Sequence, residues 1–316
     1  MLRSMLAALL LAVPLASRAD EAPATATPPI SGNVELGLSD ELSRFTEVRI
    51  GDSPAILVPG QDVRRTEPFR HFAAQVNASV PCGIKNVNCV ADVSYDTHTG
   101  LRTGDVDTVV AQGDAGFQYG YGKSIFGIKL DKERWSVGGN EFRRIDGVNL
   151  DWVASVTDRL ASYVLVQLNR YRHPGDQSSL DSNYAAVTGN LRYATQDAWQ
   201  SGYTVQATLS REANVNDDPT LDVKAVLVRL AWDSKPAEGW ELGVSGIAQR
   251  SSFGAFDPIL DVRRVDRYAG ADVQLARRLT KDLSIRLDLA YAWYRSTANS
   301  FDNDWASIGT MLIWKF

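Results

Sequence analysis

The chain has 316 residues, 38 acidic against 33 basic, for a net charge of −5, and it carries eight Trp, eleven Tyr and twenty-four Gly but only two Cys. An acidic balance argues against nucleic acid as a partner, because phosphate contacts need clustered Lys and Arg. Beyond the first twenty residues no apolar run approaches the ~18 residues of a transmembrane helix, so a membrane could be entered only by a closed barrel.

The N-terminus reads as a secretory signal. Met1 to Arg3 is a short basic region, Met5 to Pro14 is apolar, and Ser17-Arg18-Ala19 before Asp20 is a small-x-small cleavage site. No Cys follows that could be lipidated. Removal of residues 1–19 takes away Arg3 and Arg18 and no acid, which moves the net charge from −5 to −7. Residues 20–32 are rich in Pro, Ala and Thr and read as a flexible periplasmic leader.

From Asn33 to Phe316 the chain breaks into segments of alternating polarity bounded by turn residues, the signature of an all-β, transmembrane antiparallel barrel. Strands are expected at 33–45, 69–80, 89–97, 107–119, 122–130, 142–156, 159–170, 183–195, 202–211, 222–233, 239–251, 264–277, 282–295 and 303–316. That makes fourteen, or twelve if the first two segments pack differently. Between the second and third, Cys82 and Cys89 lie seven apart around Gly83 and Asn86, a spacing that reads as one disulfide in an oxidising compartment.

In the C-terminal half the connections fall into two kinds. Short ones at 157–158, 195–200, 234–239 and 279–281 alternate with longer polar ones at 172–182, 212–221, 251–263 and 296–302. Bacterial barrels have short periplasmic turns and long outer loops, which puts Phe316 on the periplasmic side.

Alternation also sorts the faces. Leu283, Ile285, Leu287, Leu289, Tyr291 and Trp293 form one face, opposite Arg286 and Asp288. Trp240, Leu242 and Val244 oppose Glu241 and Ser245, and Val148, Leu150, Trp152, Ala154 and Val156 oppose Asn149, Asp151 and Ser155. An Arg or Lys on the lipid face at mid-membrane costs about 2–4 kcal/mol, so the polar faces should line the lumen. Segment 159–170 stays ambiguous, because Val164, Val166 and Leu168 compete with Tyr163 and Leu165. Asp151, Arg192, Arg229, Glu241, Asp272, Arg286 and Asp288 are the lumen candidates; their mixed sign fits structural ion pairs better than a one-sign selectivity ring.

The three histidines offer no motif for catalysis: His71 reads as a strand residue, His98 and His173 as loop residues. Asp217 with Asp218, and Asp302 with Asp304, read as loop acids with turn propensity; a cation site or an acid pair is the functional alternative. No residue is assigned to catalysis, a cofactor or a metal. The last segment places Ala306, Ile308, Thr310, Leu312, Trp314 and Phe316 on one face, and Ile313 and Trp305 interrupt the other. Its terminal aromatic, with Trp314 and Leu312, resembles the signal read by the barrel-assembly machinery.

Residues 256–316, "FDPILDVRRVDRYAGADVQLARRLTKDLSIRLDLAYAWYRSTANSFDNDWASIGTMLIWKF", resemble the end of the barrel in surface lipoprotein assembly modifiers (Slam), including the Arg-x-Asp strand at Arg264 and Asp266. Residues 138–152, "GGNEFRRIDGVNLDW", are similar to an upstream part of those barrels. The resemblance implies a fourteen-stranded barrel in the outer membrane that assists export or surface display of a protein, with lipoprotein cargo as partner alongside outer-membrane lipid. Family members carry tetratricopeptide repeats before the barrel, and residues 20–32 cannot hold one ~34-residue repeat. A small-solute, porin-like channel is the alternative function, and an outer-membrane hydrolase the third.

Overall fold

The computed structural model describes residues 29–50, 57–102, 107–258, 260–298 and 301–316, with the side chains of 44–50, 57–65 and 176 excepted. The signal segment and residues 20–28 of the leader lie outside the described residues. Fourteen strands follow in order: β1 (Ile30–Ile50), β2 (Leu57–Pro81), β3 (Val87–Gly100), β4 (Thr108–Tyr121), β5 (Ser124–Val137), β6 (Asn140–Ser155), β7 (Leu160–Arg172), β8 (Ser182–Ala194), β9 (Gly202–Asn214), β10 (Val223–Ser234), β11 (Trp240–Asp257), β12 (Val262–Arg278), β13 (Leu283–Ser296) and β14 (Asn303–Lys315).

Each strand pairs antiparallel with its sequence neighbour, and β1 closes on β14 from Asn33↔Lys315 to Phe45↔Asn303. The result is a closed barrel of fourteen strands without a free sheet edge. The first two segments join the sheet, so the twelve-strand alternative falls. The seam is tight: Phe316 and Gly32 exchange backbone hydrogen bonds of 3.0 Å, and the Phe316 ring lies where a Cβ on Gly32 would stand. Trp314 and Phe316 sit ring to ring, 5.1 Å between centroids, at this rim.

The strands run further than the sequence pattern predicts. β1 begins at Ile30 instead of residue 33, and β2 at Leu57 instead of residue 69. The supposed long connection 251–263 shrinks to residues 258–261, because β11 and β12 stay paired past a bulge between Ser252 and Phe256. Polar sequence gains ladder hydrogen bonds once a neighbour lies alongside, whatever its own propensity. The contrast in loop length therefore weakens: 195–201 connects at the terminal rim, while 138–139 suffices at the opposite one. There Gly138 and Gly139 both take positive φ, 56° and 77°, the geometry of a two-residue hairpin turn. Both described chain ends lie at one rim, as an even strand number requires, and this is the periplasmic side in a bacterial barrel. It is called the inner rim below. Its β2–β3 turn carries the Cys82–Cys89 disulfide, with Cα atoms 5.4 Å apart.

Register fixes the faces. Leu38, Leu209, Leu230, Ile285, Leu289 and Ile308 point outward and are half exposed. Apolar exposure around the whole circumference suits hydrocarbon, not water. In β7 the ambiguity resolves: Tyr163 pairs with Asn190 and Val153 on the inner face, so Val164, Val166 and Leu168 face lipid. No large side chain among the described residues is fully buried, and close backbone approach in number runs between neighbouring strands, with long side chains reaching one strand further. The interior is thus a lined lumen and not a packed core.

Candidate functional site

The inward face of β8 to β13 holds most of the residues that alternation marked. Arg192 donates two hydrogen bonds to Asp233, at 2.7 and 2.8 Å. Arg229 donates to the Ser245 hydroxyl at 2.9 Å, and that hydroxyl donates to Asp272. Arg286 bonds Asp288 at 2.8 Å and reaches across to Glu35 on β1 at 3.2 Å. One arginine on this arc was singled out only through the family resemblance: Arg264 pairs with Asp266 at 2.7 Å and lies over the rings of Phe253 and Phe301. Every one of these four guanidiniums has a carboxylate within ion-pair distance. Glu241 also faces inward, but it is exposed at the inner rim and makes no ion pair with a described residue.

The arc from β3 to β6 differs. Register points Asp92 and Asp96, Asp114, Asp131 and Glu133, and Asp151 into the lumen, against two cations, Lys129 and Arg143. Lys129 lies 3.2 Å from Asp114. Arg143 lies between the rings of Trp135 and Tyr171, at 5.1 and 4.5 Å, within an aromatic cluster near the outer mouth. Neutral amides serve two of the other acids: Gln75 donates to Asp92 at 3.0 Å and Gln112 to Asp131 at 3.1 Å. Asp151 lies flat against the wall over Gly127, where a Cβ would collide with its carboxylate.

Of this arc only Asp151 is a sequence-derived candidate. The signal for the others was present in the alternation Asp92, Ser94, Asp96, His98 and in Lys129, Asp131, Glu133. The expected segments 89–97 and 122–130 stop short of His98, Asp131 and Glu133, and the few acids inside 89–97 and 107–119 show as a patch only when the register sets them side by side.

His98 is a correction. It stands on β3, not in a loop, with Nε2 2.8 Å from Glu41 of β1. The strand continues to Gly100 because Phe69 of β2 pairs opposite it. His71 is on β2, 3.6 Å from Asp96. His173 follows β7 in a loop, its ring edge-on to Phe142. Burial and nearby Arg143 hold its pKa below the ordinary value, against the pull of Asp181. The loop acids do local work. Asp218 accepts the Thr220 amide at 2.9 Å and hydroxyl at 2.7 Å, bonds that hold its carboxyl below the usual range. Asp302 accepts the Ser296 amide at 2.8 Å. Asp304 is a correction: it stands on β14, paired in the ladder with β13, and its carboxylate lies 2.7 Å from Arg295. Among the described residues no group of three or more His, Cys, Asp or Glu is placed to hold a metal ion.

Neither a protein-family model nor a curated protein sequence matches the chain. Solved structures do. The outer membrane channel DcaP of Acinetobacter baumannii is similar at a TM-score of 0.50 and 10% identity, over 94% of this chain and 100% of that one. An anion-selective porin from Comamonas acidovorans is similar at a TM-score of 0.50 and 8% identity, over 91% of this chain and 98% of that one. At such identity the likeness is one of fold. The fold is that of Gram-negative outer-membrane β-barrels, and the chain is located in that membrane.

Proposed function

We propose that this chain is a porin-like diffusion channel, without enzymatic activity, that passes small hydrophilic solutes and favours cations. The observation that carries the reading is the lumen wall: among the described residues it has no substantial contact between strands on opposite sides, and it is richer in carboxylates than in cations along β3 to β6. A wall of one dominant sign raises the local concentration of counter-ions and lowers that of co-ions. The similarity to a channel and a porin supports the same reading at the level of fold. The Comamonas protein is anion-selective, so a preference for cations rests on the wall charges of this chain and not on the likeness.

The test is a planar lipid bilayer containing the purified barrel. Stepwise conductance is expected, and a KCl gradient should give a reversal potential of the sign that marks K⁺ as more permeant. No conductance at any voltage would overturn the channel. If surface lipoproteins then became protected from protease in cells lacking the gene, with total amounts unchanged, the export reading drawn from residues 138–152 and 256–316 would take its place.

The C-terminal strand with Leu312, Trp314 and Phe316 is also proposed as the segment handed to the barrel-assembly machinery. Deleting Phe316 removes its backbone bonds to Gly32 and its ring from the seam. Assembled barrel, read by heat-modifiable migration of membrane fractions, should fall severalfold; normal levels would refute the assignment.

A further inference from the structure

The outer face carries charges that the channel does not use. Arg134 of β5 stands directly opposite Arg144 of β6, which stands opposite Arg172 of β7. On the other side of the barrel Arg250 of β11 is opposite Arg267 of β12, which is opposite Arg295 of β13. Arg211 and Lys224 repeat the arrangement as a pair between β9 and β10. All are exposed on the lipid side.

Their height is specific. On β9, β10 and β13 the cation comes one outward-facing position beyond an apolar residue, Leu209, Val226 and Trp293 respectively. The rows therefore stand where the apolar band ends, at the rim away from the chain termini. The inner rim has the opposite character: Tyr203 lies opposite Tyr193 and Trp232, with Trp314 and Phe316 further round.

Like charges directly opposite on neighbouring strands repel, so two such rows are unfavourable on their own. Acids relieve some members only. Glu141 bonds Arg144, Asp304 pairs with Arg295, and Asp146 lies 4.0 Å from Arg172. Arg250, Arg267, Arg211 and Lys224 make no ion pair with a described residue. A multivalent anion bridging neighbouring guanidiniums converts the repulsion into attraction, and the planar guanidinium fork matches phosphate oxygens two at a time.

We propose that these rows bind the phosphate groups of an anionic glycolipid in the outer leaflet, lipopolysaccharide through its lipid A headgroup. The positions select a lipid over a soluble anion, because the side chains project from the membrane-facing surface at headgroup height, outside the lumen. The spread of a row over three strands selects a headgroup with more than one phosphate. The inference does not depend on conduction through the barrel.

The experiment is native mass spectrometry of the folded barrel in detergent, with added bisphosphorylated lipid A, the same lipid with both phosphates removed, and phosphatidylglycerol. Bisphosphorylated lipid A is expected to bind at least about tenfold more tightly than either competitor. The triple variant R250Q/R267Q/R295Q should lose most of that preference, and its bilayer conductance should stay at the wild-type value. The single variant Arg267→Gln, at the centre of its row, should give a smaller loss in the same direction and serves if the triple variant does not fold. Equal binding of the dephosphorylated lipid, equal binding of phosphatidylglycerol, or full retention of lipid A by the variants would each overturn the proposal.

Discussion

Two arcs of one lumen wall solve the same electrostatic problem differently. Along β8 to β13 each of Arg192, Arg229, Arg264 and Arg286 meets a carboxylate; the Arg264–Asp266 pair lies within β12, while the other three span strands two apart, so charge is neutralised and, in those three, used to tie the wall together. Along β3 to β6 the acids meet amides, one lysine, one histidine and a glycine-made recess. The difference separates a structural role from a field. A paired arc stiffens the wall and adds little net potential, whereas an arc of carboxylates held by neutral donors keeps its charge for whatever passes. Both rest on the same alternation; what differs is the identity of the residue across the strand.

The largest effect is expected from neutralising the second arc. The variant D114N/D131N/D151N should still open stepwise in a bilayer, while the K⁺ over Cl⁻ permeability ratio drops severalfold toward unity. A reversal potential unchanged from wild type would place the selectivity elsewhere.

Breaking the first arc should act on stability before conduction. Arg286→Met leaves Asp288 and Glu35 facing each other across the β13–β14–β1 seam. Removing one partner of a buried pair costs about 3–5 kcal/mol, and with Arg286 23% exposed to lumen water the expectation falls to about 1–3 kcal/mol. Urea unfolding followed by tryptophan fluorescence measures it. A midpoint equal to wild type would mean that lumen water already screens the pair.

A smaller, pH-dependent effect should appear at the outer mouth, where His173 packs beside the two arcs' shared aromatic cluster. Its pKa lies below the ordinary histidine value, so the unfolded loop binds the proton more readily than the folded one. The sign is therefore that order in the loop 173–181 is full above the ordinary value and declines as pH falls from there toward the folded pKa. Protonation would set a second cation near Arg143, with Asp181 as a counter-charge on the loop side. Protection factors of this loop's amides, corrected for intrinsic exchange, should be lower at pH 5 than at pH 8 in the wild type and nearly equal in His173→Gln. The same difference in both would assign the titration to another group.

The smallest effect is expected outside both arcs. Lys123 and Asp158 lie 3.5 Å apart at the inner rim, with side chains 68% and 94% exposed. Exposed pairs of this kind contribute little, so Lys123→Ala should leave the unfolding midpoint where it is.

Period-two alternation by itself determined the class of the molecule and the direction of most side chains, because lipid and water on opposite faces of a closed sheet impose one rule on every strand; the choice of fourteen strands over twelve waited on the pairing of β1 and β2. Leu283 to Trp293 and Ala306 to Phe316 could be assigned from that rule alone, and so could the inward course of Arg192, Arg229, Asp272, Arg286 and Asp288. Strand ends could not. Residues 251–257 and 57–68 read as loop until a paired neighbour supplied their hydrogen bonds. Only the tertiary structure decided who stands across from whom. Glu35 and Arg286 are 251 residues apart, and their contact exists because the barrel closes β1 on β14. The arginine rows of the outer face and the carboxylates of β3 to β6 have the same origin: each strand contributes one or two charges that look unremarkable in sequence, and the register between strands makes them a row.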